Sequence, residues 1–179
     1  MRTSTTALAL LALVAAACSA DESRYPDAPS APSLSVGGGA AAGPLATAIH
    51  GTLQSTETST PQPAPPAIPT GLAIRLEGTG TASHLGQYTL VANLAVNLAT
   101  GSSSGLLTFT AANGDSFTAT ETGQAVFMNG YVRITELATI TGGTGRFAQA
   151  TGTLTVVRRE NPATGVSTGT VDGTIYLEK

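Results

Sequence analysis

From about residue 46 to the end of the chain, apolar and polar residues alternate with a period of two. That spacing puts one face of a strand in a core and the other in water. Eight such segments can be counted, at 46–58, 71–83, 86–97, 104–111, 115–128, 131–141, 151–159 and 166–178. No useful length of helical periodicity interrupts them. The breaks between segments carry turn chemistry. Asn97-Leu98-Ala99-Thr100-Gly101 and Asn161-Pro162-Ala163-Thr164-Gly165 are one Asn-x-Ala-Thr-Gly turn used twice. Ala112-Asn113-Gly114 suits a three-residue loop with Gly114 at positive φ, and Asn129-Gly130 suits a two-residue primed hairpin. The proline-rich stretch from Pro61 to Pro69 lacks the N–H groups a ladder needs and is expected to be a surface loop.

These turns fix registers that can be compared. A two-residue turn at Asn129-Gly130 pairs Phe127 with Val132, Ala125 with Ile134 and Ala119 with Ile140. A three-residue loop closed by Gly114 pairs Phe109 with Phe117 and Leu107 with Ala119. Both put apolar residues on one common face, which a slip of one residue would scramble. Eight antiparallel strands with a single apolar face must close on themselves or split into two layers. Closure removes the edges that threonine-rich strands would expose to aggregation, so an all-β fold with a single eight-stranded antiparallel barrel over residues 46–179 is expected ahead of a sandwich.

The residues before the barrel read differently. Arg2 is followed by the apolar run Ala7 to Ala17, which is 11 residues long, whereas a bilayer span needs about 20. A positive start, a short apolar stretch and small residues describe an export signal at 1–17. Cys18 follows those small residues and is similar to the cysteine of a bacterial lipobox, whose thiol is acylated before cleavage. The position three before it, usually Leu, is Ala15. The alternative is ordinary cleavage after an Ala-x-Ala site, giving a secreted protein with a free thiol. Residues 18–45 are rich in Pro, Ser, Ala and Gly without apolar periodicity and are expected to form a disordered tether of roughly 25–30 Å root-mean-square reach. The expected product is a lipoprotein of the cell envelope, membrane-anchored through Cys18. Ser19 is compatible with outer-membrane sorting.

Composition narrows the function classes. The chain has 8 basic and 11 acidic side chains, with no basic cluster beyond Arg158-Arg159, so no nucleic-acid partner is expected. A single cysteine allows no intramolecular disulfide, and the core must be self-sufficient.

The stretch Ile140-Thr141-Gly142-Gly143-Thr144-Gly145-Arg146-Phe147-Ala148-Gln149-Ala150-Thr151-Gly152 resembles the Gly-Gly-Thr/Ser-Gly-x-Phe-x-x-Ala-x-Gly segment of the dirigent and allene oxide cyclase superfamily. With Gly78-Thr79-Gly80-Thr81-Ala82-Ser83-His84-Leu85-Gly86-Gln87-Tyr88-Thr89, it looks like the bacterial proteins that carry an allene-oxide-cyclase-like barrel. The resemblance spans roughly residues 45 to 179 and implies an eight-stranded antiparallel barrel. Superfamily members steer radical coupling or cyclise a fatty-acid epoxide, but no stretch here matches their active residues position by position. Fold is implied, and activity is not. The glycines suit a wide corner, with Phe147 plugging one barrel end and Gly152 restarting a strand. A phosphate cradle would need a helix after them.

The same registers single out Glu121 and Glu136. Both fall on the apolar face, Glu121 opposite Ala138 and Glu136 opposite Gly123, about 7–8 Å apart or less between Cβ atoms. Two carboxyl groups in an apolar barrel would push one pKa upward, giving a general acid or a polar handle for a ligand. Otherwise they lie solvated at a barrel mouth or pair with Arg158, which shares the alternation of Leu154 and Val156. His50 and His84 have no acid cluster around them, so no metal site is expected, and no cofactor. Asn113-Gly114-Asp115 lacks the further acidic ligands of a calcium loop and reads as a turn. Arg75 and Glu77 form an outer-face pair. Three readings follow: a binding barrel for a small apolar ligand or surface partner, a cyclase- or isomerase-like enzyme using the two glutamates, and a structural surface protein with a filled lumen. The first is preferred, because no motif assembles a catalytic constellation. Ligand identity and oligomeric state are left open.

Overall fold

The computed structural model describes residues 43–178. The expected signal segment 1–17, Cys18 and the expected tether up to residue 42 lie outside the described residues. Eight strands follow one another: β1 (Leu45–Gln62), β2 (Gly71–Ala82), β3 (Gly86–Asn97), β4 (Ser102–Ala111), β5 (Ser116–Met128), β6 (Tyr131–Gly143), β7 (Thr151–Asn161) and β8 (Val166–Leu177). Each pairs antiparallel with its chain neighbour, and β8 pairs with β1, so the sheet closes into a barrel in simple sequence order. The registers match those read from the turns: Phe109 opposite Phe117, Leu107 opposite Ala119, Ala119 opposite Ile140 and Phe127 opposite Val132. The β5–β6 register shifts between Thr118 and Ala119, which face Gly142 and Ile140, so Thr141 is the extra residue of a bulge on β6 just before the glycine corner.

Inward positions fill the lumen unevenly. In the half reached by the β2–β3, β4–β5 and β6–β7 connections, Tyr88, Phe109, Phe117 and Phe147 form a continuous run of aromatic contacts, tilted, stacked and edge-on in turn, with centroid spacings of 5.5, 4.8 and 5.3 Å. Ile49, Leu90, Leu107, Leu154 and Ile175 pack around it, all buried. Phe147 sits in a short 3₁₀ turn (Gly145–Phe147) and caps this end. The glycines before it are required by geometry. Gly145 has φ +53°, and a Cβ at Gly143 would lie 2.0 Å from the Ser116 carbonyl oxygen. This end of the barrel is plugged.

The repeated turns occupy the opposite end, and they are alike in detail. Asn97 Oδ1 accepts from Ala99 N at 2.9 Å, and Asn161 Oδ1 accepts from Ala163 N at 2.9 Å. Gly101 and Gly165 have φ of +69° and +67°. Each glycine carbonyl then accepts from the neighbouring strand, Gly101 from Ala125 N and Gly165 from Glu57 N, both at 2.8 Å. The turns thereby fix two strands whose side chains enter the lumen.

Two local expectations are corrected. Pro61 is not in the loop: β1 runs on to Gln62, with Pro61 opposite Leu72. Beyond Thr56 no β8 residue pairs with β1, and Pro61 turns its nitrogen toward that open side, so its missing N–H leaves no bond unmade. The Asn129-Gly130 turn is not primed. Gly130 has φ +83°, but Asn129 is not at positive φ, which a type I′ turn needs at both positions.

Candidate functional site

The end bearing the repeated turns is the mouth, and the charged side chains of the lumen gather there. They come from β1 (Glu57), β5 (Glu121), β6 (Glu136) and β7 (Arg158 and Glu160). Arg158 is at the centre. It is 1 % exposed, and its Nε and Nη2 donate to Glu136 Oε2 and Oε1 at 3.1 and 2.7 Å, a planar two-pronged pair. Nη1 donates to Glu57 and, at 3.2 Å, to the Ser167 hydroxyl, which in turn meets Ser55 Oγ at 2.7 Å. Burial works against the guanidinium charge, but Glu136 and then Glu57 outweigh it and hold its pKa above the ordinary arginine value.

Glu121 lies deeper. It is diagonal to Glu136 as the registers require, opposite Ala138, with Glu136 opposite Gly123. Both are 2 % exposed, so neither is solvated. Of the arrangements read from the sequence, Glu136 adopts the pairing with Arg158. Glu121 does not share it. The Ser103 hydroxyl donates to Glu121 Oε1 at 2.7 Å, and Oε2 has no hydrogen-bond partner among the described residues. Burial first, and the Glu136 charge to a lesser degree, push the Glu121 carboxyl upward, opposed by the Ser103 hydrogen bond and the Arg158 charge. Gly123 makes the cluster possible. A Cβ there would stand 2.5 Å from both Glu121 Oε1 and Ser103 Oγ and 3.1 Å from Glu136 Cγ.

Above these groups the mouth encloses a cavity of about 500 Å³. Leu72, Ile74, Leu94, Val96, Val132 and Ile134 form its apolar wall, and Glu57, Glu136, Arg158 and Glu160 its polar side. Phe127, 71 % exposed, stands at the rim. Glu160 faces this space beside Glu57. Burial and the Glu57 carboxylate push its pKa up to about 7, against a weaker pull from Arg158. A broader groove of about 1300 Å³ crosses the outer face past Thr52, Thr79, Thr89 and Thr168, with Arg159 as the only charged residue along it. It offers hydroxyls but no enclosed apolar wall, and the mouth is the stronger candidate.

The remaining candidates lie elsewhere. His50 Nδ1 meets Asp172 Oδ1 at 3.0 Å on the outer face, both exposed, and His84 sits in the β2–β3 turn at φ +61°. Among the described residues no group of His, Cys, Asp and Glu converges on a metal position. Arg75 and Glu77 pair at 2.9 Å on the outside. Asn113 and Asp115 bond each other within their turn, and Asp115 Oδ2 also accepts from Arg146 N at the glycine corner. Cys18 lies outside the described residues.

Sequence reasoning missed Glu57, Glu160 and Ser103. The signal was present: Glu57 continues the alternation of Ile49, Leu53 and Ser55, Glu160 that of Val156 and Arg158, and Ser103 that of Leu107. Comparison of the chain with protein-family models, with curated proteins and with solved structures gives no match.

Proposed function

We propose that this is an exported bacterial lipoprotein whose barrel binds one small, largely apolar molecule in its mouth. The observation that carries the reading is the cavity of about 500 Å³, with an apolar wall and a hydrogen-bonded charged side. Ligand sites have this size and this mixture, mostly hydrocarbon with a few placed polar groups that orient the guest. A purely structural barrel would gain nothing from burying Glu121, Glu136 and Arg158, since an apolar filling is at least as stable. The resemblance of residues 140–152 to the dirigent and allene oxide cyclase superfamily supports an allene-oxide-cyclase-like barrel.

Titration of the full chain with the neutral fluorophore N-phenyl-1-naphthylamine tests the reading. Saturable binding is expected, and Ala125→Trp, which fills the cavity from β5, should abolish it. Equal fluorescence in the two proteins would remove the mouth from the account. The envelope assignment rests on Cys18 and is tested by intact mass of the membrane fraction: acyl chains on a chain beginning at Cys18 support it, and a soluble cleaved form with a free thiol overturns it.

A second reading, proton-transfer catalysis of the cyclase or isomerase kind, is favoured by one feature, the unpartnered Oε2 of Glu121 on a carboxyl with a raised pKa. Glu136 is committed to Arg158, so of the two glutamates read from the sequence only Glu121 is left to act as the acid in such a reaction.

A further inference from the structure

The charges in the mouth do not balance, and the imbalance has a sign. Arg158 is the only cation facing the lumen among the described residues, and Glu136 and Glu57 already occupy it. Arg159 and Arg133 belong to the outer face, where Arg159 lies over the Tyr131 ring at 4.0 Å. A carboxylate or phosphate entering the mouth would therefore meet no available positive charge and several negative ones.

Glu160 is the carboxyl left over. It forms no ion pair among the described residues, and it stands beside Glu57 on the cavity's polar side, near enough for the two carboxyls to share a proton. Deeper in the barrel, Glu121 adds a further acid whose Oε2 is buried and without a partner among the described residues. Two acids held together beside an apolar wall are a site for a positive charge. A metal ion is the poorer fit, because among the described residues no set of carboxylates converges as hard cations require. A cation that brings its own hydrocarbon fits both halves of the space.

Building on the reading of the mouth as a ligand site, we propose that it takes an organic amine: a primary ammonium seated between Glu57 and Glu160, its apolar body against Leu72, Ile74, Val96 and Val132. An ammonium supplies donors to both carboxylates at once and leaves the Arg158–Glu136 pair intact. Binding is linked to Glu160 ionisation and weakens as the pH falls through about 7.

Three eight-carbon competitors that differ only in head group, octylammonium, octanol and octanoate, decide the matter by displacing N-phenyl-1-naphthylamine from the full chain at about pH 8. Octylammonium should displace the probe at concentrations about ten-fold below octanol, with octanoate weakest. Glu160→Gln should bring octylammonium to within about two-fold of octanol, with a native far-UV circular dichroism spectrum showing that the variant is folded. Octanoate or octanol performing as well as octylammonium on the native chain would overturn the amine assignment while the mouth stands as a binding site. Failure of the probe to bind at all would overturn both.

Discussion

Arg158 and Glu136 sit diagonally across the β6–β7 ladder, Arg158 opposite Ile134 and Glu136 opposite Val156, and reach each other through two hydrogen bonds of 2.7 and 3.1 Å. Within the barrel the pair is almost wholly shielded from water. Its worth is in what its removal would expose.

Arg158→Met is expected to destabilise the barrel by about 3–5 kcal/mol, because Glu136 and Glu57 would be left as buried charges without a partner. Adding Glu136→Leu should recover part of that loss, since Glu57 still lacks its partner. Urea unfolding of the native, single and double variants reads this directly, and a double variant no more stable than the single would contradict it.

Glu121 is expected to be a residue held at a cost. Glu121→Gln keeps an acceptor for Ser103 but removes a carboxylate that burial disfavours, so it should raise stability at about pH 8, and the gain should shrink toward about pH 5 as the native carboxyl takes up the proton that burial favours. Chemical denaturation at the two pH values tests it. Destabilisation at both would show that the carboxyl supports the fold.

Glu160 gives stability a slope with pH. Its folded pKa of about 7 lies above the ordinary 4.5, so between these values the folded protein holds the proton more tightly than the unfolded chain. The contribution is complete below the unfolded value and is lost as pH rises through about 7. Solvent screening of this partly exposed group limits it to about 1 kcal/mol. Unfolding free energies measured across that range should fall with rising pH, and Glu160→Gln should flatten the fall, leaving the part due to Glu121.

The plugged end should tolerate truncation poorly. Phe147→Ala removes the edge-on partner of Phe117 and opens a void beneath the 3₁₀ turn, a loss of about 3–5 kcal/mol. A thermal melt close to that of the native protein would mean that the corner collapses to fill the space.

Much of this architecture was legible because alternation and turn chemistry report on the same geometry. Phe109, Phe117, Ala119 and Ile140 fell into register from two loops alone. The diagonal placement of Glu121 and Glu136 came with them. What the pattern could not supply was contact across the lumen. Glu57 and Arg158 are 101 positions apart, and only closure of β8 onto β1 brings them together. A period of two says which way a side chain points, but not which inward groups from distant strands converge. Pro61 escaped for a related reason, since whether a missing N–H matters depends on which neighbour lies on that side.

Leu45 and Leu177 are register partners, so the barrel's first and last strand residues leave side by side at the end stoppered by Phe147. The chain therefore enters β1 and leaves β8 on the side opposite the opening. A surface, a fusion partner or a bead could be attached on that side with the cup still facing the solution.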